Sequence, residues 1–118
     1  MWNSIMFIAI ALSVGPASAG SLYNAIAVSS NGVWGYGKNY SSKAAAFNAA
    51  LNECSYRGTN CKVAVWSRNG CVALAMTARN GYGTGWGSTR GSTQSAALQS
   101  CSSYGNANCE IKLSICSN

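Results

Sequence analysis

Histidine is absent from this sequence of 118 residues, and carboxylates are nearly absent, since Glu53 and Glu110 are the only two. Histidine is the usual proton carrier near neutral pH and the commonest metal ligand. Two carboxylates supply little material for an acid–base pair or for an oxygen-lined cation cage. The composition therefore argues against an enzyme, and we expect no metal and no other cofactor.

Nucleophilic catalysis also lacks an obvious base. Without histidine a nucleophilic serine would need a lysine or the α-amino group, and Lys43 beside Ser41 and Ser42 is the only local Ser-Lys neighbourhood. A lysine that follows a capping serine is ordinarily a solvated residue in the first turn of a helix. We interpret Lys43 in this way.

A long apolar run is missing as well, since a membrane-spanning helix needs about 20 apolar residues. The run over residues 5–12 is followed by a Gly-Pro pair and then by Ala17-Ser18-Ala19. This order is typical of a secretory signal peptide and its cleavage site. We therefore predict a signal peptide over residues 1–19 and one secreted or periplasmic domain over residues 20–118, with no stable membrane insertion after cleavage.

The predicted mature domain is small, basic and rich in cysteine. It contains all eight basic residues of the chain, whose net charge is +6, and all six cysteines. An even number of cysteines in a short exported chain indicates disulfides, and the absence of any Cys-x-x-Cys pair disfavours metal ligation. We expect three disulfides among Cys54, Cys61, Cys71, Cys101, Cys109 and Cys116.

An internal repeat runs through the mature domain. The segment Ala25-Ile26-Ala27-Val28 returns 48 positions later as Ala73-Leu74-Ala75-Met76. Cys61-Lys62-Val63 returns at the same offset as Cys109-Glu110-Ile111. Both copies also contain an Asn-Gly dipeptide and an Ala-Ala-Leu segment that precedes a cysteine. Two repeats are therefore predicted, over about residues 22–70 and 71–116.

Each repeat predicts the element order strand, strand, helix, strand. Alternating apolar residues such as Ile26 and Val28 indicate half-buried strands, and the Asn-Gly dipeptides favour type I′ hairpin turns. Val63 and Val65 are expected to point inward together, as are the alternate apolar residues of the last strand. The predicted fold class is α+β, with two pseudo-symmetric strand-strand-helix-strand repeats that form an antiparallel sheet with two helices on one face.

The connections and the helices carry further expectations. Ser41-Ser42 and Ser92-Thr93 can cap the two helices, and Leu51 and Leu98 are expected in equivalent buried positions. Asn69-Gly70 is expected to join the halves as a third hairpin.

A twofold relation between the halves would constrain the disulfides. Cys54, Cys61 and Cys71 would then correspond to Cys101, Cys109 and Cys116, and several pairings respect that symmetry. We prefer the pairing in which two short disulfides link each helix end to the next strand and a third ties the halves together. The preferred pairs are Cys54 with Cys61, Cys101 with Cys109, and Cys71 with Cys116.

The succession of segments resembles a known family. Five successive segments are similar to those of the bacterial secreted family "domain of unknown function 4189". They are an Ala-Ile-Ala-Val strand, a Gly-aromatic turn, an Ala-rich helix ending in cysteine, Cys-x-Val, and then Gly70-Cys71-Val72-Ala73-Leu74-Ala75. The resemblance covers residues 22–116. It implies a small exported or periplasmic protein, and some mycobacterial members are regarded as secreted factors that act on host cells. It brings no catalytic residues with it.

Aromatic residues next to glycines, with basic residues between them, form the candidate binding site. Flat rings beside glycine suit stacking, and nearby cations suit anionic partners. The alternative is that these rings only fill a face of the sheet. The candidate ligand-binding residues are Trp34, Tyr36, Lys38, Tyr82, Trp86 and Arg90.

We therefore predict a small, exported, disulfide-stabilised and non-catalytic domain that serves as an extracytoplasmic binding or inhibitor module. Its expected partner is an anionic glycan, an envelope polymer or a protein, because a basic surface attracts polyanions. Nucleic acid is a less expected partner, since export separates the protein from its own genome. The alternative function is a secreted effector that acts on a host cell.

Overall fold

A computed structural model describes residues 20–118, and the predicted signal peptide over residues 1–19 lies outside them. Within the described part, six strands and two helices follow the order strand, strand, helix, strand twice. The α+β class and the two repeats are thereby confirmed. The first repeat contains β1 (Tyr23–Val28), β2 (Trp34–Tyr40), α1 (Lys43–Ser55) and β3 (Lys62–Arg68). The second contains β4 (Cys71–Met76), β5 (Tyr82–Gly87), α2 (Arg90–Ser103) and β6 (Glu110–Cys116).

Each repeat forms its own three-stranded antiparallel sheet, so the expected sheet is divided in two. The strand orders are β2-β1-β3 and β5-β4-β6. The central strand β1 is buried on both faces: Ala25 and Ala27 contact α1, whereas Ile26 and Val28 pack against apolar residues of the second sheet. The layers therefore run helix, sheet, sheet, helix. Neither helix of residues 20–118 has the length and apolar character needed to span a membrane.

Glycines in β2 and β5 bring each helix close to its sheet. A Cβ added at Gly35 would lie 2.6 Å from the carbonyl oxygen of Ala50, and one added at Gly85 would lie 2.7 Å from the backbone nitrogen of Ala97. Only small side chains fit at such a contact. The buried helix residues accordingly recur every four positions as Ala46, Ala50 and Cys54 in α1 and as Thr93, Ala97 and Cys101 in α2.

The prediction that Leu51 and Leu98 are buried is corrected by this close contact. The two leucines do hold equivalent positions, each against the cluster beneath its own helix, but both are half-buried. The small side chains occupy the centre of the contact, which leaves the leucines at its margin.

The helix caps agree with the prediction in one repeat and differ in the other. Ser42 caps α1, and its Oγ accepts a hydrogen bond from the backbone N–H of Ala45 at 3.1 Å. Helix α2 is capped by Thr89, three residues before the predicted pair. Thr93 is instead buried in the first turn, where its hydroxyl donates to the carbonyl of Thr89 at 2.6 Å.

A β-bulge in β3 changes the expected alternation. The pairing with β1 passes from Val65 to Val63 without a partner for Ala64. Val63 therefore packs beneath α1, while Val65 lies in the core between the sheets. The second repeat has the same shift in β6, and the two valines do not share one face because the extra residue reverses the alternation.

The three disulfides have the preferred pairing: Cys54–Cys61, Cys71–Cys116 and Cys101–Cys109. The expected role of Cys71–Cys116 was wrong, because both residues lie on neighbouring strands of the second sheet. This bond closes that sheet and does not tie the halves together. The register-equivalent pair in the first sheet is Tyr23 and Arg68, so the supposed symmetry between Cys71 and Cys116 does not hold.

Asn69 and Gly70 carry the chain from the first sheet to the second, so they do not form the expected third hairpin. Asn69 has a φ of 55° and pairs with the segment before β1. Its backbone N–H donates to the carbonyl of Leu22 at 2.8 Å, and its Oδ1 accepts from the N–H of Leu22 at 2.7 Å.

The two hairpin loops also differ from the expected type I′ turns, which need two residues of positive φ. Gly32 has a φ of 85° in the first loop and Asn80 a φ of 68° in the second, whereas their neighbours Asn31 and Gly81 are not left-handed. One left-handed residue at the end of a three-residue loop is typical of a type I turn with a bulge.

Candidate functional site

A groove of about 860 Å³ runs between the two sheets, along β3 and β5. One wall consists of residues 64–70, and the other consists of Thr84, Trp86, Gly87 and Ser88. Its volume lies within the range of ligand-binding clefts. The groove is therefore the candidate site, and β3 is the free edge of its sheet there.

Two tryptophans border the groove. Trp86 exposes 72% of its surface and Trp66 exposes 41%. The Trp66 ring is held by neighbours, because its centroid lies 6.3 Å from those of Tyr23 and Phe47. Trp66 is thus a supported ring at the groove, whereas Trp86 projects into solvent.

Lys43 places a positive charge directly on this aromatic cluster. Its Nζ lies 4.5 Å from the centre of the Trp66 ring and 6.0 Å from that of Phe47. These distances are typical of a cation–π interaction. Lys43 is an exposed residue at the start of α1, directly after the capping Ser42, as the sequence predicted, and its ammonium group also lies over the Trp66 ring.

The electrostatics of the groove are positive. Arg68 lies in one wall, where its Nε donates to Ser21 Oγ at 2.9 Å, and no carboxylate lines either wall. The two glutamates of the chain are engaged elsewhere. Glu53 Oε1 accepts from the backbone N–H of Tyr36 at 2.6 Å, and Glu110 forms an ion pair with Lys112 at 3.3 Å. An anionic partner would meet no like charge in the groove.

Trp86 is the residue among the six sequence candidates that lines the groove. Trp34 and Tyr82 are half-buried against the core between the sheets, and Tyr82 also borders a smaller cavity of about 480 Å³. These two rings therefore act at least partly as core residues, which was the alternative interpretation.

The remaining three candidates lie on other elements. Tyr36 and Lys38 are exposed on β2, the edge of the first sheet opposite β3. Arg90 bonds β6 through its guanidinium group, which donates to the carbonyl of Ser114 at 2.7 Å and to its Oγ at 3.0 Å. The six candidates are thus distributed over β2, β5 and the start of α2.

Sequence reasoning missed Trp66 and Arg68. The available signal was their position: both alternate with Val65 and Ser67 at the end of β3, directly before Asn69-Gly70. An aromatic and a basic residue at outward strand positions are candidates for a binding edge. Within residues 20–118 no group of three or more His, Cys, Asp or Glu side chains that could hold a metal ion is found.

Comparison with known proteins gives one family and three relatives. The profile of the family described as Domain of unknown function (DUF4189) matches residues 23–116. Protein Mb1300c of Mycobacterium bovis, and Protein MT1307 and Protein Rv1269c of Mycobacterium tuberculosis, are each 39% identical to the chain over 82 residues. The matched part is 70% of this chain and spans 63% of the length of each relative. No solved structure matches the chain.

Proposed function

The chain belongs to the family described as Domain of unknown function (DUF4189), and we propose that it is an exported, non-catalytic module that binds an anionic partner in the groove between β3 and β5. The observation that carries this proposal is the lining of the groove. Trp66 and Trp86 offer two rings, Arg68 offers positive charge, and no carboxylate lines either wall. Lys43 does not line the groove but adds a second positive charge over the Trp66 ring. Rings supply contact area at small entropic cost, and the cations select the charge of the partner.

Export is supported by the cysteines and by the signal-like sequence at the start of the chain. Three disulfides form among the described residues, and disulfides persist in oxidising compartments outside the cytoplasm. The proposed location is therefore secreted or periplasmic.

The absence of catalysis is supported by the chemistry available in the chain. No histidine is present, and both glutamates have partners remote from the groove. A groove without a general base suits binding better than turnover.

The proposal is tested by calorimetric titration of the oxidised chain with polygalacturonate and with polyglutamate, two polyanions of different backbone. We expect measurable binding to at least one of them. The affinity should fall as salt rises from about 0.1 M to about 1 M, because the Debye length shortens from about 10 Å to about 3 Å. Absence of binding to both polymers would contradict the proposal.

A matched pair of variants locates the binding. Trp86→Ala removes the exposed ring in the groove and should weaken binding about tenfold, the effect of losing about 1.4 kcal/mol. Tyr56→Ala removes a ring that is 85% exposed at the end of α1, away from the groove, and should bind as the unaltered chain does. Equal affinity of the two variants would show that the groove is not the site.

A further inference from the structure

We infer that the partner is an extended, acidic peptide segment that adds a fourth strand to the first sheet at the free edge of β3. This inference rests on the proposed binding function. It adds the chemical class of the partner and the backbone groups that would bind that partner. Peptides recognised in this way gain affinity from main-chain hydrogen bonds and specificity from alternate side chains.

The backbone of β3 presents unpaired groups to the groove. Residues of an antiparallel ladder alternate between bonding to the neighbouring strand and pointing away from it. Asn69 bonds to Leu22 at the start of this ladder. Because Asn69 bonds toward β1, Ser67 and Val65 do so as well. The N–H and C=O groups of the residues between them, Arg68 and Trp66, therefore point away from β1. No strand of residues 20–118 pairs with that side of β3.

Side chains protect the backbone at two other sheet edges. Ser114 in β6 has the same register position as Trp66 in β3, since they lie opposite Ala73 and Ala25 respectively. The Ser114 carbonyl is occupied by the guanidinium group of Arg90 at 2.7 Å. On β2 the outward N–H of Tyr36 is occupied by Glu53. Such caps block unwanted strand pairing.

The equivalent cap is missing at β3, although a basic residue also begins the helix of the first repeat. Lys43 is the first residue of α1, as Arg90 is of α2. Its ammonium group covers the ring of Trp66, whereas Arg90 bonds the strand backbone. The two repeats thus treat the same edge differently. Among the described residues no side chain hydrogen-bonds the outward backbone groups of Trp66 and Arg68, so the β3 edge is open where it borders the groove.

The charges around β3 define the side chains of the partner. Arg68 and Trp66 lie on the helix side of the sheet, in register with Tyr23 and Ala25, and Lys43 reaches the same side. Trp86 borders the groove from the other sheet. Successive side chains of an added strand point to opposite faces. A segment that alternates acidic and apolar residues would therefore place its carboxylates near Lys43 and Arg68 and its apolar groups against Trp86.

A second copy of this chain is a poorer occupant of the same edge. Antiparallel pairing of two β3 strands through the outward groups of Trp66 and Arg68 would bring Arg68 and Lys43 of both copies together on the helix side of the joined sheets. Like charges at opposed positions destabilise strand pairing. Pairing of β3 with an acidic segment is therefore favoured over pairing with β3 of a second copy.

Amide hydrogen exchange of the full oxidised chain, read residue by residue by NMR, tests strand addition directly. The probe is a short acetylated and amidated peptide of alternating Glu and Val, and its control is the same peptide with Lys in place of Glu. We expect the Glu-Val peptide to slow exchange of the Trp66 and Arg68 amides about tenfold or more, as new strand hydrogen bonds do. The Lys-Val peptide should have no effect.

Backbone methylation separates strand pairing from attraction of charge. In antiparallel addition the Glu residues lie opposite Trp66 and Arg68, so N-methylation of the Glu residues should abolish the protection. N-methylation of the Val residues, whose N–H groups face solvent, should preserve it. Equal behaviour of the two methylated peptides would overturn the inference.

A transplanted cap gives the matching test on the protein. The double variant Lys43→Arg with Trp66→Ser copies the arrangement of Arg90 and Ser114 onto the first repeat and should lose the protection of residue 68. Tyr56→Ala should keep it. Protection that survives in the capped variant contradicts strand addition at this edge.

The outcomes separate this inference from the proposed function. Binding of polygalacturonate or polyglutamate that depends on Trp86, without protection of the Trp66 and Arg68 amides by the Glu-Val peptide, would overturn strand addition and leave the binding function intact. Protection of the same amides without peptide, together with a dimer in sedimentation, would assign the edge to a second copy and overturn the inference. Absence of binding to both polymers and to the Glu-Val peptide would overturn the inference and the proposed function together.

Discussion

Asn24 in β1 and Ser117 beyond β6 are joined by a 2.8 Å hydrogen bond from Asn24 Nδ2 to Ser117 Oγ, although 93 positions separate them in the chain. Asn24 is completely buried, and its Nδ2 also lies within 3.1 Å of the carbonyl of Gly70. Its Oδ1 accepts from the backbone N–H of Asn39 at 3.0 Å. Since none of the three disulfides joins the two repeats, this amide is a polar link between them.

Replacement of Asn24 should therefore be costly. Asn24→Ala leaves the part-buried N–H of Asn39 without its partner and removes one of the two donors to the Gly70 carbonyl, which keeps its hydrogen bond from the Ser117 N–H. An unsatisfied buried group costs about 1–3 kcal/mol. We expect a loss of about 2–3 kcal/mol in the free energy of unfolding, measured by denaturant titration. Asn52→Ala, at an exposed site within α1, is the control and should change stability by less than about 0.5 kcal/mol. A similar small change for Asn24→Ala would show that the link is not stabilising.

The glycines beneath the helices give a second prediction. Gly35→Ala should destabilise the protein by about 3 kcal/mol or more, because the added Cβ meets the backbone of α1 at Ala50 and Cys54. Gly91→Ala is the matched control, since nothing lies within 4 Å of a Cβ there and the residue is helical. It should stabilise by up to about 1 kcal/mol. Thermal unfolding of both variants checks the prediction, and a neutral Gly35→Ala would mean that the helix can move away from its sheet.

Much of this architecture follows from the sequence, and the parts that do not have physical reasons. The repeat, the elements and the disulfide pairing are local or symmetric features, and Ala25-Ile26-Ala27-Val28 repeated as Ala73-Leu74-Ala75-Met76 specifies two central strands. Both strands are apolar on both faces. That pattern indicates that both faces of each strand are buried. It does not show whether a helix or a second sheet packs on a given face.

The candidate site was less accessible from the sequence. Gly35 and Gly85 turn toward the helices, which leaves Trp34 and Tyr82 to fill the space between the sheets. The contact of Lys43 with Trp66 joins α1 to β3, and no local spacing in the sequence relates these two residues to each other. Trp66 becomes part of a site only because β3 ends at the groove, which depends on how the two sheets pack.

The disulfides should differ in their contributions to stability. The loop-entropy relation gives about 4 kcal/mol for the 45-residue separation of Cys71–Cys116 and about 2.4 kcal/mol for the 7-residue separation of Cys54–Cys61. Paired replacement by alanine should therefore destabilise more at Cys71 and Cys116 than at Cys54 and Cys61. Denaturant unfolding of the two double variants measures the difference. The reverse order would indicate that helix anchoring outweighs loop closure.

The cap on β6 provides the last prediction. Arg90→Ala frees the outward carbonyl of Ser114 and removes a positive charge from the edge of the second sheet. An exposed strand edge is a template for pairing with another chain. We expect Arg90→Ala to sediment with a higher average mass than the unaltered chain at equal concentration, and the excess should grow as concentration rises. Arg79→Ala removes the same charge from an exposed loop and leaves the edge capped, so it should sediment as the unaltered chain does. Identical sedimentation of the two variants would show that Arg90 does not guard the edge, and the contrast between the open edge of β3 and the capped edge of β6 would then lose its functional meaning.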